Sequence, residues 1–326
     1  MHMADALLSP AVGGAAWAAA AGLLAYSARK IRSAGDTDLT PLMGVLGAFV
    51  FAAQMINFAI PATGSSGHIG GGLLLAVLLG APAAFVVIAS VLTVQALLFA
   101  DGGLLALGAN IFNLGFFPCF VAYLLIFRPL AGRQPSDARL ALATVLATVV
   151  GLQLGALAVV LETRWSGISA LPFETFLWLM QPIHLAIGLV EGIATAALLI
   201  VVRRTRPDLL TPAEPAPKPA LKPVLASFAI AAAMIAGGFS LLASEAPDGL
   251  EWSIEKASGQ AELAAVEDGV HARLAEWQAR IAPMPDYQAP TVDAAPATSL
   301  AGLVGGAVTL AVIALLGGAL RLWRRR

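Results

Sequence analysis

Long stretches without charge constrain this chain more than any other feature. Residues 11–28, 42–60, 107–127, 140–161, 224–243 and 299–320 contain no Asp, Glu, Lys or Arg. The run 181–202 contains one, Glu191, and 72–100 contains none. A helix needs roughly 20 apolar residues to cross a bilayer. The runs are continuous rather than alternating, which excludes a transmembrane barrel. The expected fold is an all-α polytopic membrane protein: a bundle of about seven helices, then two further transmembrane helices flanking a small extracytoplasmic segment. The single cysteine, Cys119, lies inside an apolar run, where a small buried hydrophobe is expected. It excludes an intramolecular disulfide and a cysteine-based metal cluster.

The basic residues set the topology. Arg29, Lys30 and Arg32 follow the first run, and Arg128, Arg133 and Arg139 separate the runs 107–127 and 140–161. Arg203, Arg204 and Arg206 follow 181–202, and Arg321 and Arg324 to Arg326 come last. Cytoplasmic placement of these clusters, with Lys218 and Lys222, puts 15 of the 19 basic residues inside. Met1 and the 61–71 loop are then extracytoplasmic, and the C-terminus is cytoplasmic, in the cell inner membrane. The run 72–100 must cross twice, turning at Gly80-Ala81-Pro82 through short, broken or tilted helices. The opening Met1-His2-Met3-Ala4-Asp5 has no basic stretch of the kind that starts a cleavable signal peptide, so a retained N-terminus is expected.

Residues 205–223 hold six prolines and read as a semi-rigid cytoplasmic linker between a unit over 1–204 and one over 224–326. Within the second, helices are expected at 224–243 and 299–320. The segment 244–298 between them carries ten acidic against three basic residues. A short helix fits 254–281, where Ile254, Leu263, Val266, Val270, Leu274 and Trp277 recur at helical spacing. Such an acidic segment either is plainly solvated or raises the local cation concentration.

The chemistry sits at the N-terminus. The Met1 amine, the His2 amide nitrogen and the His2 imidazole form fused chelate rings around one ion, supplying three nitrogens in a plane. His68 is the expected fourth donor, from the glycine-rich loop Gly64 to Gly72 on the same side. A planar four-nitrogen set suits Ni2+ or Cu2+, and imidazole also accepts cobalt. Taken alone, a histidine at position 2 usually belongs to a frayed terminus. With only four histidines in the chain, the pairing with His68 carries weight.

Other polar residues lie at membrane depth. Gln54, Asn57, Ser66, Asn110 and Asn113 are candidates for orienting His68 or the N-terminus, against ordinary interhelical hydrogen bonding. His184 and Glu191 share a helix face and are expected to be a structural pair, or else an interface with a partner protein, away from the metal site.

These residues together resemble the NikM/CbiM family, the substrate-binding membrane component of nickel/cobalt energy-coupling-factor transporters. The resemblance rests on Met1 to Pro10, Phe51 to Phe58, Ser66-Gly67-His68, Asp101-Gly102-Gly103, Asn110 to Asn113, Pro182 to Leu185 and Glu191-Gly192. Pro247-Asp248-Gly249-Leu250-Glu251 resembles the small NikN/CbiN partner, fused on. The resemblance implies metal held by Met1, His2 and His68, with Ni2+ or Co2+ as transported substrate and no organic cofactor. It implies a transmembrane coupling component and two cytoplasmic ATPase subunits as partners. The chain has no Walker A motif, as a non-catalytic subunit would not. The small-residue stripe Gly44, Ala48 and Ala52 is then an expected contact with the coupling protein, or else internal packing. Two rivals stand beside this reading. One is an intramembrane serine protease using Ser66 and His184. The other is a stand-alone metal carrier, which the absence of an internal inverted repeat disfavours.

Overall fold

A computed structural model of the chain describes residues 1–34, 39–210, 220–260, 263, 269–288 and 294–324. Eleven helices of eight residues or more occur among them. They are α1 Pro10–Ala34, α2 Leu39–Gln54, α3 Gly72–Leu79, α4 Ala81–Phe99, α5 Leu107–Ala131 and α6 Asp137–Ser166. The rest are α7 Phe173–Thr205, α8 Lys222–Gly237, α9 Gly249–Ser258, α10 Gly269–Ile281 and α11 Ala294–Arg324. Six are long and apolar enough to cross a membrane: α1, α4, α5, α6, α7 and the Ala297–Leu320 part of α11. The helices α2 and α8, of 16 residues each, are shorter apolar helices.

The run 72–100 breaks at Gly80, whose φ of 81° is open to glycine without strain. The two pieces are unequal. α3 has eight residues, about 12 Å of helix, too short to span alone, while α4 is full length. α3 is nonetheless almost wholly buried, so protein rather than lipid surrounds it. In α5 the turns from Phe112 to Phe127 are wide π turns around Pro118, which has no N–H to donate and crowds the carbonyl one turn earlier. Cys119 is fully buried beside this proline, its thiol directed at Gly72 O.

The start of α5 and the turn between α4 and α5 meet the N-terminal residues. At the other end of the bundle Arg203 and Arg204 of α7 pair with Asp137 of α6, and Arg139 binds Leu130 O of α5.

Two sequence expectations need correction, and one open alternative is resolved in part. The helix proposed over 254–281 is two helices, because Gly259 ends α9 in the left-handed region at φ 74°; of its periodic residues, Val266 lies outside the described residues. Of the two readings of the stripe Gly44, Ala48 and Ala52, internal packing is seen: Gly44 approaches Leu310, Ala48 approaches Gly306, and Ala52 packs with Ala232 and Ala236. Tethering makes this contact intramolecular, and small residues on both sides let the backbones close. The other correction concerns His184 and Glu191 and belongs to the site. The linker segment 211–219 lies outside the described residues.

Candidate metal site

The first eight residues run into the bundle. Met3 N–H donates to Asn110 Oδ1 at 2.8 Å, and Asn110 Nδ2 donates back to Met3 O at 3.2 Å. Gly103 N–H also donates to Met3 O. Asp5 Oδ1 accepts from Ala106 N–H at 2.9 Å, and the side chains of Met3, Leu7 and Leu8 are fully buried. These bonds satisfy backbone groups that would otherwise be orphaned in an apolar interior.

This seating brings Met1, His2 and His68 together. The Met1 nitrogen is 3.3 Å from His68 Nε2. The rings of His2 and His68 stack, 5.4 Å between centroids and 7° from parallel. Two nitrogens bound to one ion at about 2.0 Å and a right angle lie about 2.8 Å apart, so Met1 and His68 are within a small adjustment of sharing one. Among the described residues no three His, Cys, Asp or Glu side chains converge on a metal position. An ion here depends on the terminal amine and the backbone as well as on imidazoles.

The loop that carries His68 is held from two helices. The hairpin β1 Phe58–Ile60 and β2 Ser65–Gly67 delivers it. Gln54 Nε2 donates to Gly70 O at 2.9 Å and Gln54 Oε1 accepts from Gln95 at 2.8 Å. Glu191 Oε1 accepts from Gly71 N–H at 2.9 Å. Gly71 has φ 76°, and a Cβ there would stand 2.7 Å from Val50. Glu191 thus serves the metal loop, and His184 lines the same small cavity as Met1 and His68. Both were expected away from the site. The terminus inserts deeply enough to reach a histidine three turns inside α7.

Two aspartates complete the cluster, and sequence reasoning assigned neither a role here. Asp248 Oδ2 accepts from the Met1 amine at 2.5 Å, in a pair only 4% and 15% exposed. Its other oxygen caps α9, accepting from Leu250 and Glu251 N–H while Glu251 caps back. Ser66 anchors this segment: its N–H donates to Pro247 O at 2.8 Å and its hydroxyl to Ala246 O at 2.7 Å. Asp101 Oδ1 lies 3.1 Å from His2 Nδ1, and Asp101 Oδ2 accepts from Tyr287 hydroxyl at 2.5 Å. Both aspartates are quoted in sequence motifs, yet nothing in their spacing shows that they reach the N-terminus.

Burial raises both carboxyls, but the Met1 charge at Asp248 and the His2 ring at Asp101 outweigh it and hold them ionised, well below the usual range. Burial, helped by the Met1 charge and by His2, pushes the His68 imidazole down to about 3. It is therefore neutral near pH 7, with a lone pair to offer.

The remaining candidates divide. Asn113 Nδ2 donates to Glu162 at 2.7 Å and touches Met3 sulfur at 3.9 Å. Asn57 offers its backbone carbonyl to Ser244 N–H at 2.7 Å, one of the ties between the two halves of the chain. Ser66 and His184 do not form a nucleophile–base pair. The serine hydroxyl goes to Ala246 O, and His184 Nδ1 goes to Met180 O at 2.8 Å.

The comparisons with known proteins agree with one another. Residues 2–209 match the family described as cobalt uptake substrate-specific transmembrane region, and residues 222–322 match the PDGLE domain. The chain is 33% identical over 312 residues to a putative fused nickel transport protein NikMN of Archaeoglobus fulgidus, covering 96% of each chain. It is 32% identical to the fused nickel transport protein NikMN of Rhodobacter capsulatus, covering 100% of this chain and 99% of the other. A cobalt transport protein CbiM of Geobacter sulfurreducens is 30% identical over 275 residues, covering 80% of this chain and 78% of the other. A crystal structure of a truncated transition metal transporter superposes with a TM-score of 0.55 at 31% identity, covering 63% of this chain and 99% of that one.

Proposed function

This chain belongs to the cobalt uptake substrate-specific transmembrane family, joined to a PDGLE domain, and from that premise we propose that it captures Ni2+ or Co2+, nickel ahead of cobalt, at its own N-terminus. It is a multi-pass membrane component of nickel/cobalt transport and not an enzyme. In our reading residues 1–204 form the capture unit, 205–223 a cytoplasmic linker and 224–326 an accessory unit. A transmembrane coupling protein and two ATPase subunits drive uptake. Met1 faces outside, and the arginine-rich end of the bundle faces the cytoplasm of the cell.

The observation that carries the reading is the 3.3 Å approach of the Met1 amine to His68 Nε2 beside the stacked His2 ring. The donors are the Met1 amine, the His2 amide nitrogen, the His2 imidazole and His68. A fused chelate closes on His2 Nδ1, the nitrogen that Asp101 holds here. A half-turn of the ring frees Nδ1 for the ion and carries the Nε2 edge toward Asp101, which then accepts its proton-bearing side as carboxylates do behind ligating histidines.

Asp248 explains how the ion enters a buried place without an unpaired charge. Before loading, the protonated amine carries one positive charge against this carboxylate. Loading brings two positive charges, neutralises the amine and ionises the amide, leaving one positive charge again. The counter-charge thus fits both states, and a metal-bound amine still has N–H bonds to donate to it. The accessory half in this way contributes directly to the site.

Equilibrium binding of Ni2+ and Co2+ to the purified chain tests the proposal. Tight binding that is lost on His2→Ala, on His68→Ala and on extending the N-terminus is the expected result. An extended chain that binds as well as the unextended one overturns it.

A further inference from the structure

His184 stands at the edge of this donor set with one nitrogen unused. Its Nδ1 is 2.8 Å from Met180 O. A carbonyl only accepts, so Nδ1 carries the ring proton and Nε2 keeps a lone pair. The residue is 1% exposed, and Nε2 has no hydrogen-bond partner. Fixing one imidazole nitrogen on a backbone carbonyl is how proteins aim the other at a metal or its ligands.

Nε2 borders a cavity of about 20 Å³ whose walls include Met1, His68, Asp248 and Gly249. The absence of a side chain at Gly249 keeps this space open, since a Cβ there would lie 3.3 Å from Nε2. Such a volume takes about one water, which needs two to four polar partners. The partners are present. His184 Nε2 is a free acceptor. Asp248 Oδ2, with one hydrogen bond from Met1, has a lone pair to spare. The Met1 nitrogen and His68, two of the proposed ion's donors, form another part of the wall.

We propose that His184 is a positioning residue for the metal: a water in this cavity donates to His184 Nε2 and to Asp248 and turns its lone pair on the ion, as a fifth, apical ligand above the nitrogen plane. The inference rests on the N-terminal site and deepens it. Its consequence is breadth of substrate. A strictly planar four-nitrogen site favours Ni2+ and Cu2+ over Co2+, and an apical oxygen removes part of that bias. His184 then sets how much cobalt the chain accepts.

The test uses the full chain with an unextended N-terminus, loaded with Co2+ in water enriched in the magnetic oxygen isotope and read by electron spin echo. Coupling from a metal-bound water oxygen is expected in the unaltered protein. It should vanish in His184→Leu and return in His184→Gln, whose amide oxygen accepts as Nε2 does. The Ni2+ to Co2+ affinity ratio should rise about tenfold in His184→Leu and stay near the starting value in His184→Gln. Bound Co2+ without oxygen coupling in the unaltered protein overturns the proposal, as does His184→Leu with unchanged coupling and ratio. The unaltered protein decides even where His184→Leu fails to fold. If N-terminal extension abolishes metal binding and the oxygen signal is absent, only the role of His184 falls. If extension changes nothing, the N-terminal site itself falls.

Discussion

The two ends of the bundle carry the same kind of bond in opposite surroundings. At one end the Met1 amine meets Asp248 at 2.5 Å with the pair 4% and 15% exposed. At the other, Arg204 meets Asp137 at 2.6 Å with the pair 69% and 31% exposed. Water can replace either partner of the second pair almost without loss. Bulk water has little access to the first, so each buried charge there depends on the other. Geometry alone does not separate the two pairs; access of solvent does. The buried end holds the His68 imidazole neutral, with a lone pair for an ion, whereas the exposed end anchors helix to helix.

The contrast can be broken in order of expected effect. His2→Ala and His68→Ala remove donors, and each should weaken Ni2+ binding by more than the ~10–100-fold typical of outer-shell substitutions; calorimetry of the purified protein measures it. Asp248→Asn keeps the cap of α9 but removes the counter-charge. Loading then lacks the carboxylate that faces the amine, so affinity should fall by roughly 10–100-fold. An unchanged affinity would show that the two ends are not different after all. Asn110→Leu leaves Met3 N–H without its partner, at a cost of about 1–3 kcal/mol, seen as a lower Tm together with weaker metal binding.

A smaller effect is carried by pH. His68 titrates near 3 in the folded chain against 6.5 for the free side chain. Between those values the unfolded chain binds the extra proton, so stability rises with pH up to about 6.5 and is lost as pH falls through the window. Metal-free unfolding between pH 4 and 6.5 should show this slope, flattened in His68→Gln; an equal slope in both would assign it elsewhere. Asp137→Asn at the exposed end should leave both Tm and metal affinity unchanged, and a clear loss in either would erase the contrast.

Much of the fold was readable because the bilayer imposes length and lack of charge on each crossing. The break at Gly80-Ala81-Pro82 was visible as a glycine–proline signal inside a run too long for one span. The unequal lengths of α3 and α4 were not, since uniform hydrophobicity marks no face and no depth. At the site, the chelating logic of a terminal amine followed by histidine is local and could be read directly, and the glycine-rich loop singled out His68. Asp248 looked like one of ten acids in a solvated segment. It pairs with a group 247 residues away, and no periodicity reports a contact at that separation. His184 and Glu191 were placed wrongly for a similar reason: helical spacing says that they share a face, not which neighbour that face meets.

The sequence by itself determined that the chain lies in a membrane as a bundle of apolar helices, and which residue types could chelate an ion. Those follow from transfer free energies and from chemistry within a few bonds. Tertiary structure alone decided that the second half covers the small-residue face of α2, and that Asp101 and Asp248 rather than water meet the N-terminal donors. The same folding left a buried acceptor on His184 facing the space beside them. Each of these depends on excluding solvent between segments far apart in the chain, and burial of that kind exists only once the helices have packed.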